Sequence, residues 1–297
     1  MKAPSLMLIA LVALFAAPAF AQPIVNGTLA GDSYGAAASV QAVETQFGDN
    51  ASELDAAYCT MEGGRLYLML TGNLEGNFNK LEIFIDSKAG GENVLTGLPG
   101  NDGTGFKFLG FTFDPGFTAD YHLIARRGNS GTDRFDLDFA ELGTSNSSSY
   151  GDIFGGTQEG SGATGIGLNN QPIEVALDNS NLAGVLGGTA AANQAAALAV
   201  QTGLELSIDL ADLGYAGSDV RVCVFVNGSN HDYASNQFLG PLNPPIGNLG
   251  GDGNGGFNGS IGQLNLGNFA GDQYFSCSGR PVPAEHSTWG RLKAIYR

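Results

Sequence analysis

Three histidines bound the acid–base chemistry open to this chain. His231 and Asp232 are adjacent, in a segment that also holds Asn230 and Asn236. A histidine oriented by an acid is the base that activates a serine nucleophile. No G-x-S-x-G elbow accompanies the pair, so the segment reads as a loop held by side-chain hydrogen bonds. His122 falls in a strand-like run and reads as a partly exposed face residue, while His286 lies near the C-terminus. Paired carboxylates are the other catalytic arrangement, since a glycosidase needs two of them about 5–10 Å apart across a cleft. Glu82 and Asp86 share one face of a predicted strand with Lys80, and Asp136 and Asp138 share a face of another. Acids alternating along a strand mark its solvated side. No catalytic residue is assigned on these patterns.

Metal chemistry is equally sparse. No C-x-x-C or His/Cys spacing suggests zinc. Calcium takes oxygen ligands from loops, and residues 250–256 (GGDGNGG) offer Asp252 and Asn254. That segment matches neither the EF-hand loop nor the glycine-aspartate nonapeptide repeat and reads as a flexible turn. No cofactor is expected, with calcium as the alternative. Three cysteines leave one over. Cys223 sits in VRVCVFV and Cys277 in QYFSC, and the favoured pairing ties these two runs together. Cys59–Cys223, Cys59–Cys277 and three free thiols stay open.

The elements that must position these residues are strands. Residues 65–87 (RLYLMLTGNLEGNFNKLEIFIDS) carry the densest apolar alternation and read as two strands around a polar connection. Leu66, Leu68 and Leu70 share one face of the first, and Leu81, Ile83 and Ile85 one face of the second. Tyr67 and Met69 make the first apolar on both sides, which places it centrally or under a covering loop. Residues 54–61 precede it as a strand closed by Glu62-Gly63-Gly64, a hairpin turn. Further strands are expected at 119–126, 134–142, 172–177, 204–208, 220–226 and 273–277, with an entry strand within 24–35. Phe106, Phe108, Phe111 and Phe113 read as a strand with a bulge at Leu109-Gly110. Residues 143–162 and 227–260 read as loops, and 190–200 (AAANQAAALAV) as the single helix. About ten short strands without βα alternation predict an all-β fold: an antiparallel, two-sheet, jelly-roll-like sandwich with one short helix.

Composition narrows the function class. The chain of 297 residues has 46 glycines and 14% charged residues, with 13 Lys+Arg against 29 Asp+Glu and a formal charge of −16. A nucleic-acid-binding protein needs a basic face, so nucleic acid is not an expected partner. Residues 1–21 read as a signal peptide: Lys2, an apolar core over 6–17 and Ala19-Phe20-Ala21 before the cut. That core is shorter than the ~20 residues a bilayer span takes, and no other segment qualifies as a membrane helix. One domain is expected over 22–279, followed by a basic tail over 280–297 holding Arg280, Arg291, Lys293 and Arg297. Trp289 is the only tryptophan and falls in this tail, on one side of a short predicted helix with Leu292 and Tyr296. Export from the cell is the expectation that the signal peptide carries.

The run LYLMLTGNLEGNFNKLEIFIDSKAGGEN, with TGLELSIDLADLG, VRVCVFVNGSNHDYASNQFLGPL and QYFSC, resembles a group of uncharacterised secreted bacterial β-sandwich proteins with C-terminal sorting tails. The 65–87 stretch, taken there as a hairpin, is more distantly similar to family 9 carbohydrate-binding modules and DOMON-like sandwiches. Those modules often bind ligands on aromatic-lined surfaces, and no matching pair of tryptophans occurs here. The ending STWGRLKAIYR is similar to short tails of exported proteins, with Trp289, Gly290, Arg291 and Tyr296 as its marked positions. The resemblance implies a non-catalytic extracellular or cell-surface protein acting by binding or assembly, with a surface glycan or the export and sorting machinery as partner. A glycan-binding module is the first alternative and a secreted glycoside hydrolase the second.

Overall fold

The computed structural model describes residues 21–155, 158–217 and 219–278. The predicted signal peptide up to residue 20 and the tail with Trp289, Gly290, Arg291 and Tyr296 lie outside the described residues. In chain order the first strands are β1 (Ser39–Val40), β2 (Glu53–Glu62), β3 (Arg65–Asn73), β4 (Lys80–Asp86), β5 (Tyr121–Asn129) and β6 (Asp133–Glu141). They are followed by β7 (Ser147–Phe154), β8 (Glu159–Ala163), β9 (Glu174–Asp178), helix α1 (Gln194–Ala199) and β10 (Gly203–Asp209). The last are β11 (Val220–Asn227), β12 (Ala234–Leu239) and β13 (Phe275–Cys277). One sheet has the order β1-β2-β3-β10-β9-β8, the other β12-β11-β4-β5-β6-β7, with β13 also on β11. All ladders between these strands are antiparallel. The fold is an all-β, two-sheet sandwich with one short α-helix among the described residues. No helix among the described residues is long and apolar enough to cross a membrane.

Period-two alternation does the folding work. Leu66, Leu68 and Leu70 on β3 and Leu204, Leu206 and Ile208 on β10 face Leu81, Ile83 and Ile85 on β4 across the main core. Tyr67 and Met69 point the other way and are covered by Val25, Leu29 and Tyr34 of the entry segment. The hairpin between β2 and β3 turns on Gly63 and Gly64, at φ 60° and 82°, where a side chain would be strained. β3 and β4 do not form a hairpin: they lie in different sheets, so the polar stretch between them crosses the sandwich.

The outer face of the second sheet departs most from expectation. Lys80, Glu82, His122, Asp136 and Asp138 are buried there, not solvated. The covering layer comes from the segments around 95–117 and 234–266, whose Phe108, Phe111, Phe113, Phe117, Leu242 and Leu249 pack on Phe84 and Phe225 as a second core. The phenylalanine run is therefore a series of turns delivering rings to that core, not a bulged strand, and Phe106 alone of the four is exposed. Within the predicted loops, β7 and β8 add edge strands to β6 and β9, and β12 adds one to β11. Ser/Gly-rich β7 and β8 have little strand propensity and form by pairing with the strands beside them. The entry segment contributes only a bridge from Thr28 to Thr202. The helix starts later than alanine content predicts, because the Asn193 side chain accepts the Ala195 and Ala196 N–H groups as its cap.

The disulfide joins Cys59 to Cys277, with Cα atoms 5.6 Å apart, and Cys223 is a free, buried thiol. The favoured Cys223–Cys277 pairing fails on parity. Cys277 lies opposite Val220 in the ladder and faces the main core, whereas Cys223 shares the opposite face of β11 with Phe225. β13 instead reaches across to β2, so the bond ties the two sheets together.

Candidate functional site

Register places a row of charge on the covered face. Asn227, Lys80, Arg126 and Asp136 lie abreast on β11, β4, β5 and β6, and the next row holds Phe225, Glu82, Ile124 and Asp138. Loops then bring two more groups down onto the sheet. Asp102, in a short 3-10 turn at Asn101–Gly103, sets its Oδ2 2.6 Å from Lys80 Nζ and its Oδ1 3.3 Å from Arg126 Nε. His231, after β11, sets Nδ1 2.6 Å from Glu82 Oε1, and its Nε2 lies 3.1 Å from both Asp102 Oδ2 and the Asp102 carbonyl.

Glu82 is the hub. His122 Nε2 donates to its Oε2 at 2.9 Å and Asn227 Nδ2 to its Oε1 at 2.9 Å, while the His122 ring stacks flat on Phe84 with centroids 4.1 Å apart. Both nitrogens of His231 face acceptors, which requires the imidazolium. Burial alone would lower its pKa, but the Glu82 charge and the hydrogen bonds to Asp102 and Glu82 outweigh that and raise it to about 9. Burial opposes the charged form of Glu82 as well, yet the two histidines hold its carboxyl far below the usual range. Asp102 is lowered against its own burial by His231, Lys80 and Arg126. Arg126 also bonds Asp138, and Arg134 Nε lies 2.9 Å from Asp136 Oδ1. Lys80, Arg126, Arg134 and His231 thus balance Glu82, Asp102, Asp136 and Asp138, as buried charges must.

This frame floors an open pocket of about 440 Å³, lined by Lys80, Asp102, Arg126, Arg134 and Asp136 with Asn77, Phe78, Ser130, Ser229 and Asn230 around it. Five non-glycine residues among those described have positive φ, and four of them, Phe78 (66°), Asp102 (47°), Asp152 (53°) and His231 (57°), belong to the pocket or bond its groups. Such backbone costs on the order of 1–3 kcal/mol per residue and collects at functional sites.

The sequence-predicted groups are redistributed by this geometry. His231 is not oriented by Asp232, which pairs with Lys107 at 3.1 Å. With both His231 nitrogens engaged, neither Ser130 nor Ser229 has it as a base. His122 is fully buried, not partly exposed. Glu82 and Asp86 serve different partners, since Asp86 takes the Thr118 N–H and lies 3.5 Å from Arg221. Asp136 and Asp138 both hold Arg126. Asp252 Oδ1 accepts the N–H groups of Asn254 and Gly256 within its own loop. Asp102 escaped the sequence reading because its partners Lys80, Arg126 and His231 are distant in the chain, and Arg126 and Arg134 because the acids they hold read as a solvated strand face. The one available signal was register, as Lys80, Arg126 and Asp136 alternate on strands that pair in sequence. Compared with known proteins, the chain matches no family model, no curated protein and no solved structure, so the pocket is read on its own geometry.

Proposed function

We propose that this is an exported, non-catalytic binding protein of the cell exterior, with the pocket over Lys80, Arg126 and Asp136 as its ligand site. The observation that carries the reading is the charge-balanced floor, fixed from below by Glu82 and His231 and bordered by strained residues. Such a floor presents preset donors and acceptors whose charges are paired with one another. A hydroxyl-rich glycan matches it: Arg134, Asp136, Ser229 and Asn230 offer polar contacts, and Phe78 offers an apolar edge. Hydrolysis is the weaker reading, because a general acid needs a raised carboxyl pKa and the pocket's Asp102 is lowered. The basic tail over 280–297 serves sorting or anchoring.

The test of the pocket is calorimetric titration of the full chain with a panel of neutral and acidic oligosaccharides. Binding weakened at least tenfold by Arg134→Ala and Asn230→Ala, without release of reducing ends, is the expected result. Uptake of no saccharide in the panel, or turnover of one, overturns the reading. For the tail, cell fractionation compares the full chain with one ending at Gly279. Equal release of both into the medium rejects a sorting role.

A further inference from the structure

Phe78 is the one aromatic residue among those lining the pocket, and its ring lies flat on the sheet. A Cβ built on Gly128 would stand 2.4 Å from Cε2, 2.5 Å from Cδ2 and 2.5 Å from Cζ of that ring. Three adjacent ring atoms at nearly equal distance mean that the Cβ direction meets the face of the ring, not its edge. Gly128 follows Arg126 by two positions on β5 and so shares its face of the sheet. It pairs with Arg134 across the β5–β6 ladder, one row beyond Lys80, Arg126 and Asp136. One face of the ring therefore rests on Gly128, and the other is turned away from the strands.

The backbone does not dictate this placement. Gly128 is not among the glycines with positive φ, so alanine would suit its conformation, and it is the ring that excludes a side chain. Phe78 does have positive φ, at 66°, in a turn that glycine or asparagine would make with less strain. The turn is fastened on both sides of the ring. The Phe78 N–H donates to the Arg127 carbonyl at 2.9 Å, and Asn77 Oδ1 accepts the Asn79 N–H at 2.9 Å. Phe78 is only partly buried and belongs to neither large core, so packing there does not offset the strain. A ring held flat over a glycine and bordering a pocket is a stacking surface. Its face carries the negative lobe of the π system and attracts polarised C–H groups.

We propose that Phe78 is the stacking platform of the pocket and that the ligand is a saccharide of pyranose rings with equatorial substituents, β-linked glucose being the type. This rests on the reading of the pocket as a glycan site and narrows it. Such a sugar presents an unbroken C–H face to the phenyl ring and leaves its rim hydroxyls for Arg134 and Asn230. An α-linked mannose carries an axial oxygen on each face, and an alditol has no ring face, so neither stacks. The test is calorimetric titration of the full chain with cellotetraose, α-mannotetraose and sorbitol, with saturation-transfer NMR of cellotetraose on irradiation of the aromatic protons. Cellotetraose should bind at least about tenfold more tightly than the other two, and its axial ring protons should take up the most saturation. Phe78→Leu removes the π face and Gly128→Ala displaces the ring; each should weaken cellotetraose about tenfold and erase its preference over α-mannotetraose. Affinity kept within about twofold by either folded variant overturns the platform; if Arg134→Ala still weakens binding, the glycan site itself stands. Equal or tighter binding of α-mannotetraose, or no binding of cellotetraose, also overturns it, and failure of every saccharide in the wider panel removes the pocket reading as well. Should a variant fail to fold, the unmodified chain decides: saturation spread evenly over ring and hydroxymethyl protons overturns the platform.

Discussion

Replacing Glu82 by Gln keeps the shape of the hub and removes its charge, so it isolates what that charge contributes. In the native protein the Glu82–His231 contact at 2.6 Å raises His231 from its ordinary 6.5 to about 9. That rise corresponds to about 3 kcal/mol in favour of the folded state while the imidazolium persists. A group raised on folding contributes fully below its unfolded pKa and loses the contribution as pH climbs through the folded one. The window for His231 therefore runs from about pH 6.5 to about 9. Glu82 is shifted the opposite way, so its contribution is present above the ordinary carboxylate range and is lost only in strong acid. These are two views of one ion pair and count once. Glu82→Gln should cost about 3–5 kcal/mol at pH 7, because it leaves His231 and the buried end of the frame without their anion. For a domain of this size that lowers Tm by roughly 6–15 °C. Urea unfolding of both proteins between pH 6 and 10 gives the decisive comparison. The native chain should lose stability across the alkaline window and the variant should not. A variant within about 1 kcal/mol of the native protein, with the same alkaline slope, refutes the argument.

Four further outcomes follow from the same structure. Arg126→Ala strands the fully buried Asp138 and should cost about 3–5 kcal/mol, whereas Arg134→Ala, nearer solvent, should cost under about 1 kcal/mol; urea midpoints separate them. Phe84→Ala removes the ring on which His122 stacks and should cost about 3–5 kcal/mol, read by thermal unfolding with loss of near-UV dichroism. In thiol titration the native chain should show no reactive cysteine, because Cys223 is buried and its thiol is pushed up by that burial; denaturant alone should expose one thiol and reduction all three. Cys59→Ser should cost about 2–5 kcal/mol.

The sandwich was legible because its two inner faces are written as clean alternation. Leu66-Leu68-Leu70 and Leu81-Ile83-Ile85 declare both the strands and the sides they bury. Connectivity was less legible: nothing in the polar stretch between β3 and β4 distinguishes a hairpin from a crossing between sheets. The disulfide was readable, although the sequence reading favours Cys223–Cys277 and holds the observed Cys59–Cys277 only as an alternative. Val220, Val222 and Val224 are core positions, so Cys223 between them has to face away from the core that holds Cys277.

The site was hidden for a different reason, and the reason generalises. Polar alternation such as Lys80-Glu82 or Asp136-Asp138 shows only that a face does not belong to the main core. Whether that face is wet depends on what lies over it, and here the cover is supplied by phenylalanines whose spacing is neither helical nor strand-like. Phe108, Phe111, Phe113 and Phe117 could bury no ring in the inner core without breaking its alternation, so they require a second surface to pack on. An irregular aromatic run beside a polar strand face therefore signals a covered face. Charges kept under such a cover cost several kcal/mol each to desolvate unless paired. The lattice from His122 through Glu82, His231, Asp102 and Arg126 to Asp138 supplies that pairing, and the pocket opens it to solvent. A hydrophobic layer in the same place would stabilise the sheet equally well without the strained turns at Asp102 and His231. The retained charge and the retained strain converge on one opening, and the proposal of a ligand site rests on that convergence.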